Sequence, residues 1–103
     1  MSTPFPPGAL VILYLHSPRE KIWGVLQDMG AAGVSLRGID VASFDDWLRG
    51  VASGGDGRIL PSIVFYPLLR VEKILLDDPD DPLGLDGQCR ARTARGGRAL
   101  LEG

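Results

Sequence analysis

His16 and Ser17 are the first residues of the chain whose side chains could act together, one as base and the other as nucleophile. A hydroxyl nucleophile needs its base within hydrogen-bond reach and a third group orienting that base. Here the neighbours are Pro18, Arg19 and Glu20, and no other histidine exists, so the pair reads as an exposed turn. Asp45 and Asp46 offer two carboxylates for acid–base work, but adjacent residues on a helix point in different directions. They suit the first turn of a helix, where the dipole favours anions. Gly54-Gly55-Asp56-Gly57-Arg58 is glycine-rich like a phosphate-cradling loop, yet it lacks the Lys-Ser/Thr of that motif and precedes a strand. It is expected to be a flexible connection. One His and one Cys would force a metal to rely mostly on carboxylates. No catalytic residue, metal ligand or cofactor site is expected, and the chain reads as non-enzymatic.

Aromatic and basic residues carry the remaining chemistry. Trp23, Phe44, Trp47, Phe65 and Tyr66 would stack on bases if exposed. Trp47 lies on an apolar stripe and Phe65 inside an apolar strand, so both are expected in the core; Trp23 and Tyr66 stay open. Arg90, Arg92, Arg95 and Arg98 recur along the last segment and, with Arg70, are the candidate nucleic-acid contacts.

The chain has 103 residues, of which 45% are hydrophobic and 23% charged, a balance that supports one small globular core. A net charge of −2 excludes a uniformly basic surface for nucleic acid or anionic membrane. The apolar run from Phe5 to Leu15 is interrupted by Pro6, Pro7 and Gly8 and is too short for a spanning helix. No basic segment precedes it, so neither membrane insertion nor a secretory leader is expected. A single cysteine, Cys89, excludes an internal disulfide framework and fits a reducing, cytoplasmic setting.

Charge is unevenly placed. Residues 1–76 are neutral overall, 77–86 carry five aspartates, and 87–103 carry four arginines against Glu102. Beyond Leu76 apolar periodicity fades while Pro79, Pro82, Gly84 and Gly87 accumulate, so 77–103 is expected to be a disordered acidic-then-basic tail. Ala99-Leu100-Leu101 could form a terminal turn. The folded unit is then 8–76.

Within that unit, Ala9–Leu15, Lys21–Gln27 and Val34–Val41 read as strands. Gly24 predicts a bend or close backbone approach. After Gly38 the apolar phase shifts to Ile39 and Val41, which predicts a bulge. Ser43 is placed as N-cap, with Asp46 near the capping-box position. Phe44, Trp47, Leu48 and Val51 form one helical stripe. Ser62–Tyr66 and Leu69–Leu76 follow as strands, separated by Pro67. Short links between strands imply antiparallel neighbours. The expected fold is mainly β: a five-stranded antiparallel SH3-like or Sm-like small barrel, with one short α-helix between strands 3 and 4.

The run Val11-x-Leu13-x-Leu15, then Gly24-Val25-Leu26, then Gly33-Val34-x-Leu36, resembles the first three strands of Sm-like (LSm/Hfq-type) small β-barrels. Ile63-Val64-Phe65-Tyr66-Pro67 and Val71-x-x-Ile74 resemble the closing pair. The likeness covers about residues 9–76. It implies an oligomer, possible in ring form, and an RNA site built on an acidic residue, an Asn and a basic pair. This chain departs from that site: the relevant loop is Met29-Gly30-Ala31-Ala32-Gly33, no Asn is present, and Arg70 is out of register. Two readings follow. The first is an oligomeric interaction module binding protein partners or its own copies, with Ile63, Phe65, Tyr66, Leu69, Val71 and Ile74 as candidate interface. The second is an RNA-binding protein using the barrel face and the arginine-rich tail.

Overall fold

The computed structural model describes residues 5–54, 59–78, 80–81 and 83–103. The expected flexible connection at 55–58 lies outside the described residues. β1 spans Leu10–Leu15, β2 Glu20–Met29 and β3 Gly33–Asp40. A 3₁₀ turn, Val41–Ser43, leads into α1, Phe44–Ala52. β4, Ser62–Pro67, is followed by a second 3₁₀ turn, Leu68–Arg70, and by β5, Val71–Leu76. Two further helices complete the chain, α2 at Leu85–Thr93 and α3 at Gly97–Glu102.

All strand pairs are antiparallel, in the order β4-β3-β2-β1-β5. The expected closed barrel is therefore corrected to an open sheet, because β4 and β5 are its two edges and do not pair. The physical reason lies in the link between them. Three residues between Pro67 and Val71 bridge at most about 14 Å, whereas the edges of a flat five-stranded sheet stand roughly 19 Å apart. The sheet must curl. The link spends its backbone groups elsewhere: Leu68 N–H donates to Ala32 O at 3.0 Å, and His16 N–H donates to Arg70 O at 3.0 Å. These acceptor and donor sites lie in the turns at opposite ends of β2. The turn thus holds the curled sheet together where a β4–β5 ladder would have closed it.

The curl pivots on glycine. Gly24 faces Gly38 across the β2–β3 pair. A Cβ at Gly24 would stand 2.5 Å from Arg37 O, and one at Gly38 would stand 2.1 Å from Trp23 O. Gly38 pairs in register, so the bulge expected there is absent; the irregularity sits between Leu26 and Asp28 of β2. The phase shift after Gly38 is instead a change of buried face. Val34 and Leu36 pack inside the curl with Val11, Leu13, Leu15, Ile22 and Leu26. Ile39 packs on the opposite face with Trp23, Val25 and the helices. Burial on both faces explains why Ile22 to Leu26 reads as continuous apolar sequence.

α1 places Phe44, Trp47 and Leu48 on the sheet as its stripe requires. Trp47 is 3% exposed, and its ring meets Trp23 at 5.4 Å, while Phe44 meets Trp23 edge-on at 5.2 Å. Ser43 occupies the N-cap, but its side chain makes no capping bond, because the 3₁₀ turn already feeds the helix. Asp46 pairs with Arg49 instead.

The expected disordered tail is a second correction. α2 and α3 lie on the Trp23 face, and Cys89, Leu100 and Leu101 are buried in the same cluster as Trp23 and Trp47. Gly97 lies against the Trp23 ring, where a Cβ would come within 2.4 Å of Cζ2. Composition failed here because a few well-placed apolar residues and two carboxylates suffice to dock short helices on an existing face.

Candidate functional site

The two edge strands gather the largest exposed apolar area. β4 contains no charged residue, and it leaves Ile63 58% and Phe65 53% exposed, with Val64 also open to solvent. The 3₁₀ turn adds Leu68 and Leu69, the latter 89% exposed, and β5 adds Leu75 and Leu76. β4 is bonded only to β3 and β5 only to β1, so among the described residues each keeps one unpaired backbone edge. Edges of this kind are ordinarily guarded by charge, proline or cover. On β4 the guard is confined to Pro67. On β5 it consists of Glu72 and Lys73, and Lys73 Nζ is drawn over the Tyr14 ring at 4.7 Å, with Lys21 Nζ at 5.1 Å.

The six candidate interface residues divide in two. Ile63, Phe65 and Leu69 face solvent. Tyr66, Val71 and Ile74 pack against the inner cluster and serve the domain itself. Phe65, expected in the core, lies outside it because β4 is an edge whose outward face nothing among the described residues covers. The burial of Tyr66, aided by the nearby Glu20 and Asp40 charges, pushes its hydroxyl above the ordinary range, against the opposing pull of Arg70. Leu68, Leu75 and Leu76 are exposed on the same surface, and the unbroken apolar run at 74–76 is the sequence signal for the last two.

The candidate nucleic-acid contacts also separate. Arg70 is a clamp: its Nη2 donates to Pro18 O at 2.9 Å and to Glu20 Oε1 at 2.8 Å, and its Nε donates to His16 O at 3.3 Å. Its guanidinium is thereby engaged by the β1–β2 turn. Arg90 donates from Nε to Asp86 Oδ2 at 3.0 Å, and Arg98 from Nε to Glu102 Oε1 at 3.0 Å. Arg92 and Arg95 are exposed.

Two buried carboxylates escaped the sequence reading. Asp77 accepts Trp23 Nε1–H at 2.9 Å and Asp86 N–H at 2.9 Å on the same oxygen. Asp86 in turn accepts Gly97 N–H at 2.7 Å. Each carboxylate caps the helix that follows it, Asp77 for α2 and Asp86 for α3, so the acidic stretch is the anchor of the helices. Burial raises the Asp77 carboxyl above its ordinary value, against the hydrogen bonds from Trp23 and the Asp86 and Leu85 amides.

His16 Nδ1 stands 3.4 Å from Ser17 Oγ on the surface. Among the described residues no cluster of three His, Cys, Asp or Glu side chains could hold a metal ion. None of the described helices is long and apolar enough to cross a membrane. Comparison with protein-family models, with curated proteins and with solved structures finds no match for this chain.

Proposed function

We propose that the chain is a non-enzymatic interaction module of Sm-like small-barrel type, which associates with further copies of itself through β4 and β5. The carrying observation is the pair of free apolar edges, with Ile63, Phe65 and Leu69 open to solvent. The family type rests on the resemblance of the strand pattern, in which Gly24 of the second strand is set tightly against β3. Both strands have six residues, and the unpaired groups of one edge meet the needs of the other. β4 of one copy then pairs with β5 of the next, a head-to-tail contact that closes into a ring when the rotation permits.

Light scattering on the full chain tests this reading. An oligomer is expected at micromolar concentration, and Ile63→Lys with Phe65→Lys is expected to release a folded monomer. A monomeric wild-type chain would refute the reading. RNA binding in the manner of the family draws less support, since Arg70 is engaged by the β1–β2 turn and the chain lacks Asn.

A further inference from the structure

Between the C-terminal ends of α1 and α2 lies an open cleft of about 460 Å³. Arg90, Arg92 and Arg95 are among its lining residues, together with Val51, Ala52 and Leu100. No acidic residue lines it among the described residues. Arginine near a helix C-terminus is ordinarily accounted for by the dipole, and Arg90 fits that account through its bond to Asp86. Arg95 does not, because it follows α2 and its left-handed terminal residue, Ala94. Among the described residues neither Arg92 nor Arg95 meets an acidic partner, and the Arg90 side chain is still 60% exposed despite its pairing.

Two helix ends would repel an anion if their last carbonyls were bare. They are partly covered. At α1, Ser53 N–H and Oγ–H both donate to Arg49 O and Gly54 N–H donates to Val51 O, and at α2 Ala94 N–H donates to Arg90 O. The negative ends are thus satisfied in part, and three arginines border the open volume. Guanidinium groups recognise phosphate through paired, charge-assisted hydrogen bonds, which a point charge cannot reproduce. The volume falls in the range of small-ligand sites.

We propose that this cleft binds the phosphate chain of a small, multiply charged phosphate compound, either inorganic oligophosphate or a nucleotide. The site uses none of the edge residues, so its failure would leave the assembly reading intact. Calorimetric titration of the full chain at low salt with inorganic tripolyphosphate and, separately, with ATP tests it. Saturable binding by either supports the proposal, and the stronger of the two identifies the source of the phosphates. Arg92→Gln with Arg95→Gln is expected to weaken binding by about tenfold or more, and added salt to weaken it steeply. Arg19→Gln, on the distant β1–β2 turn, is expected to bind like wild type. No saturable binding at low salt would overturn the proposal, as would undiminished binding by the folded double variant. Tighter binding of a single-stranded oligonucleotide or of poly-glutamate would also overturn it, by marking an extended polyanion surface instead.

Discussion

Asp77 belongs to a run of five aspartates between positions 77 and 86 that composition assigns to solvent, yet it is among the most buried polar residues of the chain. Its role is that of a hydrogen-bond acceptor for Trp23 and α2, which an amide oxygen can also fill. Asp77→Asn is therefore expected to leave stability nearly unchanged at neutral pH. Asp77→Ala is expected to cost about 1–3 kcal/mol by leaving a buried indole N–H and an amide unpaired. The pH dependence follows from the raised carboxyl. The folded state holds the proton more tightly than the unfolded chain, so this group contributes most below its ordinary value of 3.8 and loses that contribution as pH rises to its folded value. Tryptophan-fluorescence melts of wild type and Asp77→Asn across this window check it: the loss should be absent in the variant. Cys89 is a second residue-scale case. Burial, reinforced by the Asp86 and Asp77 charges, pushes its thiol up to about 12, so alkylation by iodoacetamide at pH 8 should be negligible in the native chain and complete in denaturant.

At the scale of elements, the close backbone approach at Gly24 of β2 and the seat of α1 were both legible in the sequence. Gly24 was marked by its position inside an apolar strand, and the structure supplies the reason, a backbone too close for any side chain. Gly24→Val is expected to cost on the order of 1–3 kcal/mol through overpacking and strain. Trp47→Ala, which removes a ring wedged against Trp23 and Phe44, is expected to cost about 3–5 kcal/mol. Chemical denaturation with a fixed slope measures both. The capping of α1 was less legible, because Ser43 is an N-cap by type but enters the helix from a 3₁₀ turn that leaves its hydroxyl without a capping role. α2 was not legible, and of α3 only a terminal turn at Ala99-Leu100-Leu101 was. Their apolar contacts, Leu85, Cys89, Leu100 and Leu101, are too widely spaced to show a helical stripe, and their caps come from Asp77 and from α2 itself.

For the whole molecule, docking of α2 and α3 changes what truncation should do. A chain ending at Asp78 exposes Trp23, Trp47 and the rest of that face, and it is expected to aggregate or to melt well below the full chain. Thermal melts and light scattering on the truncated form check this; an unchanged midpoint would show that the helices contribute nothing. The sequence by itself determined the five strands, the helix after the third and the close backbone approach at Gly24. These are properties of local pattern, carried by alternation, by helical spacing and by glycine. Only the tertiary structure decided that the sheet stays open at β4 and β5, that Phe65 faces solvent, that Arg70 is a clamp, and that the acidic stretch anchors two helices. Each of those depends on partners more than ten residues away: Ala32 and His16 for the linking turn, Glu20 for Arg70, Trp23 for Asp77. Edge or centre, core or surface, is a relation between segments, and no single segment encodes its neighbour across the sheet.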